Sequence, residues 1–350
     1  MDVIETRGLV KVHGRGRNAK RAVDGLDMHV AAGDIYGFVG KNGAGKSTTM
    51  KMIAGLVTPT SGEIELFGGG RDASAGWRGA GSSDTGCKPG CFSAGYSRIG
   101  ALIEEPGVLP GLSAFENLMV KALAMGVVRA EAQCRELLDL VGLRDADAKK
   151  VKGFSLGMKQ RLGLALALVG SPDLLLLDEP LNGLDPEATR AMRNTLVRLN
   201  RERGITILIS SHVLDQLNRV ATRFGVVRAG SLVKEFSEEE MHAACGSSVR
   251  VRTADTPRAL AILEERMAGA AFRAEPDGAL LVSGGRGRAV PSVEEISRIL
   301  HESDQVVLEL SVMERDIEDY FVELMGGRDE AGNGSAPQAG EPSCKGGCWR

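Results

Sequence analysis

The chain has 350 residues, of which 43% are apolar, with a formal net charge of −3 and six cysteines. This accommodates one large domain and a smaller one around real cores, and the slight acidity excludes a broad nucleic-acid-binding surface. Six cysteines in so long a chain make no disulfide scaffold, and the opening MDVIETRGLV lacks the charged-then-apolar order of an export signal, so a cytoplasmic, reducing setting is expected. The longest apolar stretches, LGLALALVG and LLLL, are interrupted by Ser171, Pro172 and Asp173, so neither spans a bilayer.

In chain order, GRGRNAKR at 14–21 is locally basic and reads as a solvated loop rather than a binding patch. IYGFV at 35–39 predicts a short buried strand, and KSTTMKMIAGL after it opens a helix. Residues 68–97 are rich in Gly, Ser and Ala without apolar periodicity and read as a flexible insertion. RIGALIEEP at 98–106 is an apolar run ending on Glu104 and Glu105; Pro106 restricts Glu105 to extended geometry, which assigns it to the turn. DLLLLDEP and ITILISS are two further, almost wholly apolar strands. Between them a helix starts at a capping Asp185 with Pro186 in its first turn and stops at Gly204. Continuous apolar strands alternating with helices mean an α/β domain over residues 1–236, its mainly parallel sheet covered on both faces. From about 248 to 325 the order becomes βαββαβ, which predicts a small α+β, ferredoxin-like module. Residues 326–350 are too polar and Gly-rich to fold alone and read as a disordered tail.

GKNGAGKS at 40–47 matches G-x-x-x-x-G-K-[ST] between a strand and a helix, the context that this phosphate-binding loop needs. Its glycines let backbone N–H groups turn toward a phosphate, Lys46 reaches the terminal phosphates, and Ser47 offers a hydroxyl to Mg²⁺. Asp178 and Glu179 end an apolar strand. Alone such a pair is usually just solvated; beside a phosphate loop it becomes a Mg²⁺ and general-base constellation.

With GKNGAGKST, FSLGMKQRLGLALAL at 154–168, LLLLDEP, LNGLD at 181–185 and ISSH at 209–212 in this order, the chain resembles the ATP-binding subunits of ABC transporters over residues 2–235. IGALIEEP, FSLGMKQRL and the C-terminal module ending in EDYFVELMG resemble more narrowly the branch serving bacitracin and lantibiotic export or self-immunity. The resemblance implies a P-loop ATPase with a helical subdomain that hydrolyses ATP with Mg²⁺, works as a homodimer, and sits peripherally on the inner face of the cell membrane through a separately encoded integral membrane permease. Gly40, Lys41, Asn42, Gly43, Ala44, Gly45, Lys46, Ser47 and Thr48 would bind the phosphates, and Asp178 and Ser47 would organise Mg²⁺. Glu179 would be the general base, aided by a γ-phosphate contact from His212, whose bland reading is structural. Ser155 and Gly157 would touch the nucleotide held by the second copy, and Ser155 would also cap its helix. Asp185, a helix cap on its own reading, would add communication between subunits.

Three departures from the family pattern stand out. His13 stands where an aromatic usually stacks on adenine, so base stacking is weaker or different. Leu156 replaces a signature glycine. Glu104 takes the place of a glutamine that reaches Mg²⁺ and the attacking water, and the same role is expected of it. CKPGC at 87–91 and CKGGC at 344–348 have no family account; four thiols could make a zinc site, with reactive thiol pairs or no role as the alternatives. The expected function is therefore the ATPase of a transporter for a peptide antibiotic or similar amphiphile. The alternatives are an ABC-type ATPase acting on a non-membrane partner, against which stand the single phosphate loop and the absence of a long coiled coil, and a non-catalytic regulator, against which stand Lys46, Asp178 and Glu179.

Overall fold

The computed structural model describes residues 1–14, 16–69, 77–78, 98–146, 149–245, 247–267, 269–284, 291–314 and 317–325. The tail, both cysteine pairs and nearly all of the expected insertion lie outside the described residues.

The chain begins with two long antiparallel strands, β1 (Asp2–His13) and β2 (Lys20–Ala31), then passes through β3 (Ile35–Val39) into α1 (Lys46–Ile53). Strands β4 (Ser61–Leu66) and β5 (Trp77–Arg78) return to the first pair and complete an antiparallel sheet of order β2-β1-β4-β5. The chain re-enters the centre as β6 (Ile99–Leu102), followed by three helices, α2 (Ala114–Ala124), α3 (Ala130–Leu140) and α4 (Leu156–Leu168), packed on one another as a helical layer. Next come β7 (Leu174–Asp178), α5 (Pro186–Arg203), β8 (Thr206–Ser211), the short α6 (Leu214–Asn218), β9 (Arg223–Arg228), β10 (Ser231–Ser237) and α7 (Glu238–Cys245). These strands form a six-stranded sheet of order β10-β9-β3-β8-β7-β6, parallel except for β10.

The burial of this sheet explains its sequence. All five residues of β7 are buried, because alternate side chains enter different cores. Leu174, Leu176 and Leu208 join Tyr36, Phe38 and Met50 under the antiparallel sheet, while Leu175, Leu177, Ile207 and Ile209 meet the helices. Helix ends follow local chemistry. Ser113 and Glu116 form a reciprocal capping box at α2. Asp185 caps α5 through the Ala188 N–H at 2.7 Å, and Gly204, at φ 64°, closes it in the left-handed region.

The second body runs through β11 (Ser247–Thr253), α8 (Thr256–Arg266), β12 (Ala270–Ala274), β13 (Leu280–Gly284), α9 (Val293–Glu302) and β14 (Val307–Glu314). Its sheet, β12-β13-β11-β14, is antiparallel throughout. Val249, Val251, Leu280 and Val282 share one core with Leu263, Ile296 and Leu300, so both helices cover the same face, as a ferredoxin-like order requires.

The last helix, α10 (Ile317–Leu324), falls within the span expected for that module yet packs on the first body. Phe321 is fully enclosed, its ring centroid 5.4 Å from that of Phe236 and 6.2 Å from that of Phe224, and the Tyr320 hydroxyl accepts a hydrogen bond from Lys234 Nζ at 2.7 Å. The module's own core is closed by α8 and α9, whereas β9 and β10 present two aromatic rings that need a cover. Phe321→Ala is therefore expected to destabilise the first body by about 3–5 kcal/mol, the usual cost of emptying a buried aromatic site. Urea unfolding followed in the full chain measures it, and a chain shortened to residues 1–236 loses the same packing.

Candidate nucleotide site

The loop between β3 and α1 is pinned at both ends by close backbone approach. A side chain at Gly40 would bring Cβ to 2.6 Å from the Val227 carbonyl oxygen, and one at Gly45 to 2.5 Å from that of Ala22. Gly45 also sits at φ 106°, which an L side chain rarely adopts. No side chain caps α1, so its first N–H groups are left to an external anion at the positive end of the helix.

Lys46, the first residue of α1, is 5% exposed. Its ammonium donates to the carbonyl oxygens of Gly40 at 2.7 Å and Lys41 at 3.3 Å, and lies 3.6 Å from Glu179 Oε1. Burial pushes this ammonium below its ordinary pKa, while Glu179 and then Asp178 pull it back up. The site thus holds an enclosed cation at the start of a helix, beside two carboxylates.

Parallel registry sets Asp178 of β7 opposite Ser210 of β8. The Ser210 hydroxyl, fully buried, donates to Asp178 Oδ1 at 2.6 Å and accepts the Glu179 backbone N–H at 3.0 Å, fixing both carboxylate residues at once. Glu179 takes φ 48°, an uncommon left-handed conformation that turns its side chain out of the strand. Its Oε2 then meets His212 Nδ1 at 3.0 Å and accepts from Asn182 Nδ2 at 3.1 Å, leaving Oε1 facing Lys46.

The structure thus brings together the loop, Lys46, Asp178, Glu179 and His212. Ser210 and Asn182 were not among the residues singled out from sequence; Ser210 lies in the ISSH stretch, and only strand registry reveals its partners. The other candidates are placed apart. Ser155 caps α4 by accepting the Met158 N–H at 3.3 Å and is otherwise exposed, with the half-buried Gly157 behind it. His13 is exposed at the end of β1. Glu104, two residues past β6, sits at φ 63° with its side chain 65% exposed, and its Oε1 pairs with Lys51 Nζ of α1 at 2.5 Å rather than reaching Asp178 or Glu179. Among the described residues no three acidic, histidine or cysteine side chains converge as a metal cage. The hard oxygens of Ser47 and Asp178 nonetheless suit Mg²⁺, which characteristically takes one or two protein ligands and completes its shell with phosphates and water.

Comparison with known proteins agrees with this geometry. Residues 23–182 match the sequence model of the ABC transporter family. The chain is 36% identical over 93% of its length to the bacitracin transport ATP-binding protein of Bacillus licheniformis, covering 98% of that protein. It is 37% identical over 67% of its length to a lantibiotic transport ATP-binding protein of Streptococcus pyogenes, covering 90% of it. It is also 38% identical over 72% of its length to a daunorubicin and doxorubicin resistance ATP-binding protein of Streptomyces peucetius, covering 71% of it. Among solved structures, a dimeric ATP-binding cassette in a post-hydrolysis state with ADP and phosphate superposes with a TM-score of 0.58 at 21% identity, covering 67% of this chain and 98% of that one. The chain therefore belongs to the ATP-binding subunits of ABC transporters, the ATPases coupled to transport.

Proposed function

We propose that this subunit drives export of a peptide antibiotic or similar amphiphile, or immunity to it, as one of two identical copies docked on the inner membrane face of a separate permease. The observation that carries the reading is an apolar cleft of about 420 Å³ beside β6, lined by Leu56, Ile103, Leu109, Val120, Ala124 and Leu166. It lies between the nucleotide-binding layer and the helical layer, and Leu123 of α2 and Val128 of the α2–α3 turn are also exposed. An apolar, concave surface with a few charges suits a short amphipathic helix of a membrane partner and does not suit nucleic acid. Among the described residues no helix is long and apolar enough to cross a membrane, so spanning falls to that partner. The relatives named for bacitracin, lantibiotic and anthracycline transport or resistance support the cargo class.

Chemistry follows from the contacts. The Lys46 ammonium faces Glu179 Oε1 at 3.6 Å. Phosphates seated on the loop compete for that ammonium and release Oε1, the Glu179 oxygen not already engaged by Asn182 and His212, to accept a proton from an attacking water. Mg²⁺, when bound, would neutralise charge on the phosphate oxygens; Ser47 and Asp178 would hold it, and Glu104 would have to give up Lys51 to join them. His212 would steady Glu179 and reach the terminal phosphate. Ser155 and Gly157, at the exposed start of α4, would meet the same phosphate from the second copy.

Three outcomes check this reading. Lys46→Ala is expected to lose nucleotide binding, whereas Glu179→Gln keeps it and loses on the order of 10²–10⁴ in turnover; fluorescent-nucleotide titration beside a phosphate-release assay separates them. Ser210→Ala, which frees both carboxylate residues without touching nucleotide, should lower turnover about 10–100-fold with little change in nucleotide affinity. Val120→Asp should leave basal ATPase intact and abolish both stimulation by the co-expressed permease and the bacitracin resistance conferred on a sensitive host. If Val120→Asp retains full stimulation, the cleft is not the docking site.

A further inference from the structure

β14 is one edge of the C-terminal sheet, and β12 is the other. Among the described residues β14 hydrogen-bonds to β11 on one side and to no strand on the other. Edge strands are normally blunted by lysine, proline or a covering element. This one carries neither lysine nor proline: from Val306 to Met313 the chain reads VVLELSVM, its one charge, Glu309, is taken up by Arg250 at 2.9 and 3.0 Å, and the one irregularity in its pairing is at Leu308. Leu308 is 62% exposed and Val312 59%, and Val306 and Met313 are also well exposed. The module's large exposed apolar side chains are therefore gathered at one of its two edge strands, β14, and not at β12.

We propose that β14 pairs antiparallel with β14 of a second copy of this chain, joining the two C-terminal sheets into one across the dimer. The inference rests on the two-copy reading above. The strand is complementary to itself: a twofold axis at Leu310 sets Leu308 against Val312 and Glu309 against Ser311, so no like charges meet. The chain's own residues 326–350 are a poorer occupant, since GGRDEAGNGSAPQAGEPSCKGGCWR lacks the alternating apolar residues that such an edge selects. β14 runs within three residues into α10, which is buried in the ATP-binding body, so the edge is carried wherever that body goes. A seam one strand long buries well under the ~1,200 Å² of a standard interface and would not hold free monomers together. It adds to a dimer that the ATP-binding bodies bring together, because the second contact is then intramolecular.

The test uses the full chain. Sedimentation velocity with Mg²⁺ and a non-hydrolysable ATP analogue gives the dimer Kd for wild type and for Leu308→Lys combined with Val312→Lys. Both side chains are mostly exposed, so the fold should survive, which circular dichroism and an unchanged analogue affinity would verify. The double variant is expected to weaken the dimer about tenfold or more by losing apolar pairs and adding like charges across the seam. An unchanged Kd overturns the seam and leaves the nucleotide-dependent dimer standing; a wild-type chain that stays monomeric with analogue overturns both. A photo-cross-linking residue at Leu308 in mixed ¹⁴N and ¹⁵N chains should join two 306–313 segments from different copies. Cross-links to residues 326–350 or to another surface overturn the proposal.

Discussion

A buried ammonium at the start of α1 is the constraint on which the nucleotide-binding face depends. A lysine this enclosed is costly unless paired, and Lys46 donates to two carbonyl oxygens and faces a carboxylate 3.6 Å away. With the uncapped start of α1, that enclosed positive charge suits the loop to an anion. It also explains why Glu179 needs so many restraints: a carboxylate free to close on Lys46 would satisfy the site internally. Ser210, Asn182 and His212 tie Glu179 from the opposite side, and its left-handed backbone aims it across the gap.

The central sheet delivers these groups. With β3 flanked by β8 and β9, and β7 beside β8, the carboxyl ends of three parallel strands lie along one edge. β3 hands over the phosphate loop, β7 the carboxylates and β8 Ser210 and His212. Ligands of open parallel sheets gather at such an edge because the strands end there while their helices turn back. Two cores, one on each face, lock the strands in register, so the 2.6 Å contact between Ser210 and Asp178 is set by packing of leucines and isoleucines well away from it.

The C-terminal part is tied in by aromatic packing. Phe321 completes a cluster with Phe224 and Phe236, and α10 lies against α6 and α7. α6 begins two residues after His212. A helix that closes the chain thus shares a core with the segment leading out of the active edge, and the small α+β module hangs between two parts of the ATP-binding body rather than trailing from one end.

What could be read in the sequence was whatever local chemistry decides. The strand-to-helix setting of residues 40–47, the strands of Ile35–Val39, Leu174–Asp178 and Thr206–Ser211, the Asp185 cap with its Gly204 stop, and the βαββαβ order all stand as expected, because each follows from spacing within a few residues. Resemblance of five ordered motifs supplied the family. The rest required distances between residues far apart in the chain. Ser210 becomes a support for two carboxylate residues only because strand registry puts it beside Asp178. Glu104 looks in the sequence like a metal-facing residue, yet its exposed side chain finds Lys51 on α1. α10 reads as the end of the module, but the free aromatic surface lies on β9 and β10, and burial of Phe321 there decided where the chain ends. A local pattern fixes which backbone forms; which side chains then meet depends on how whole layers pack, and no short stretch contains that information.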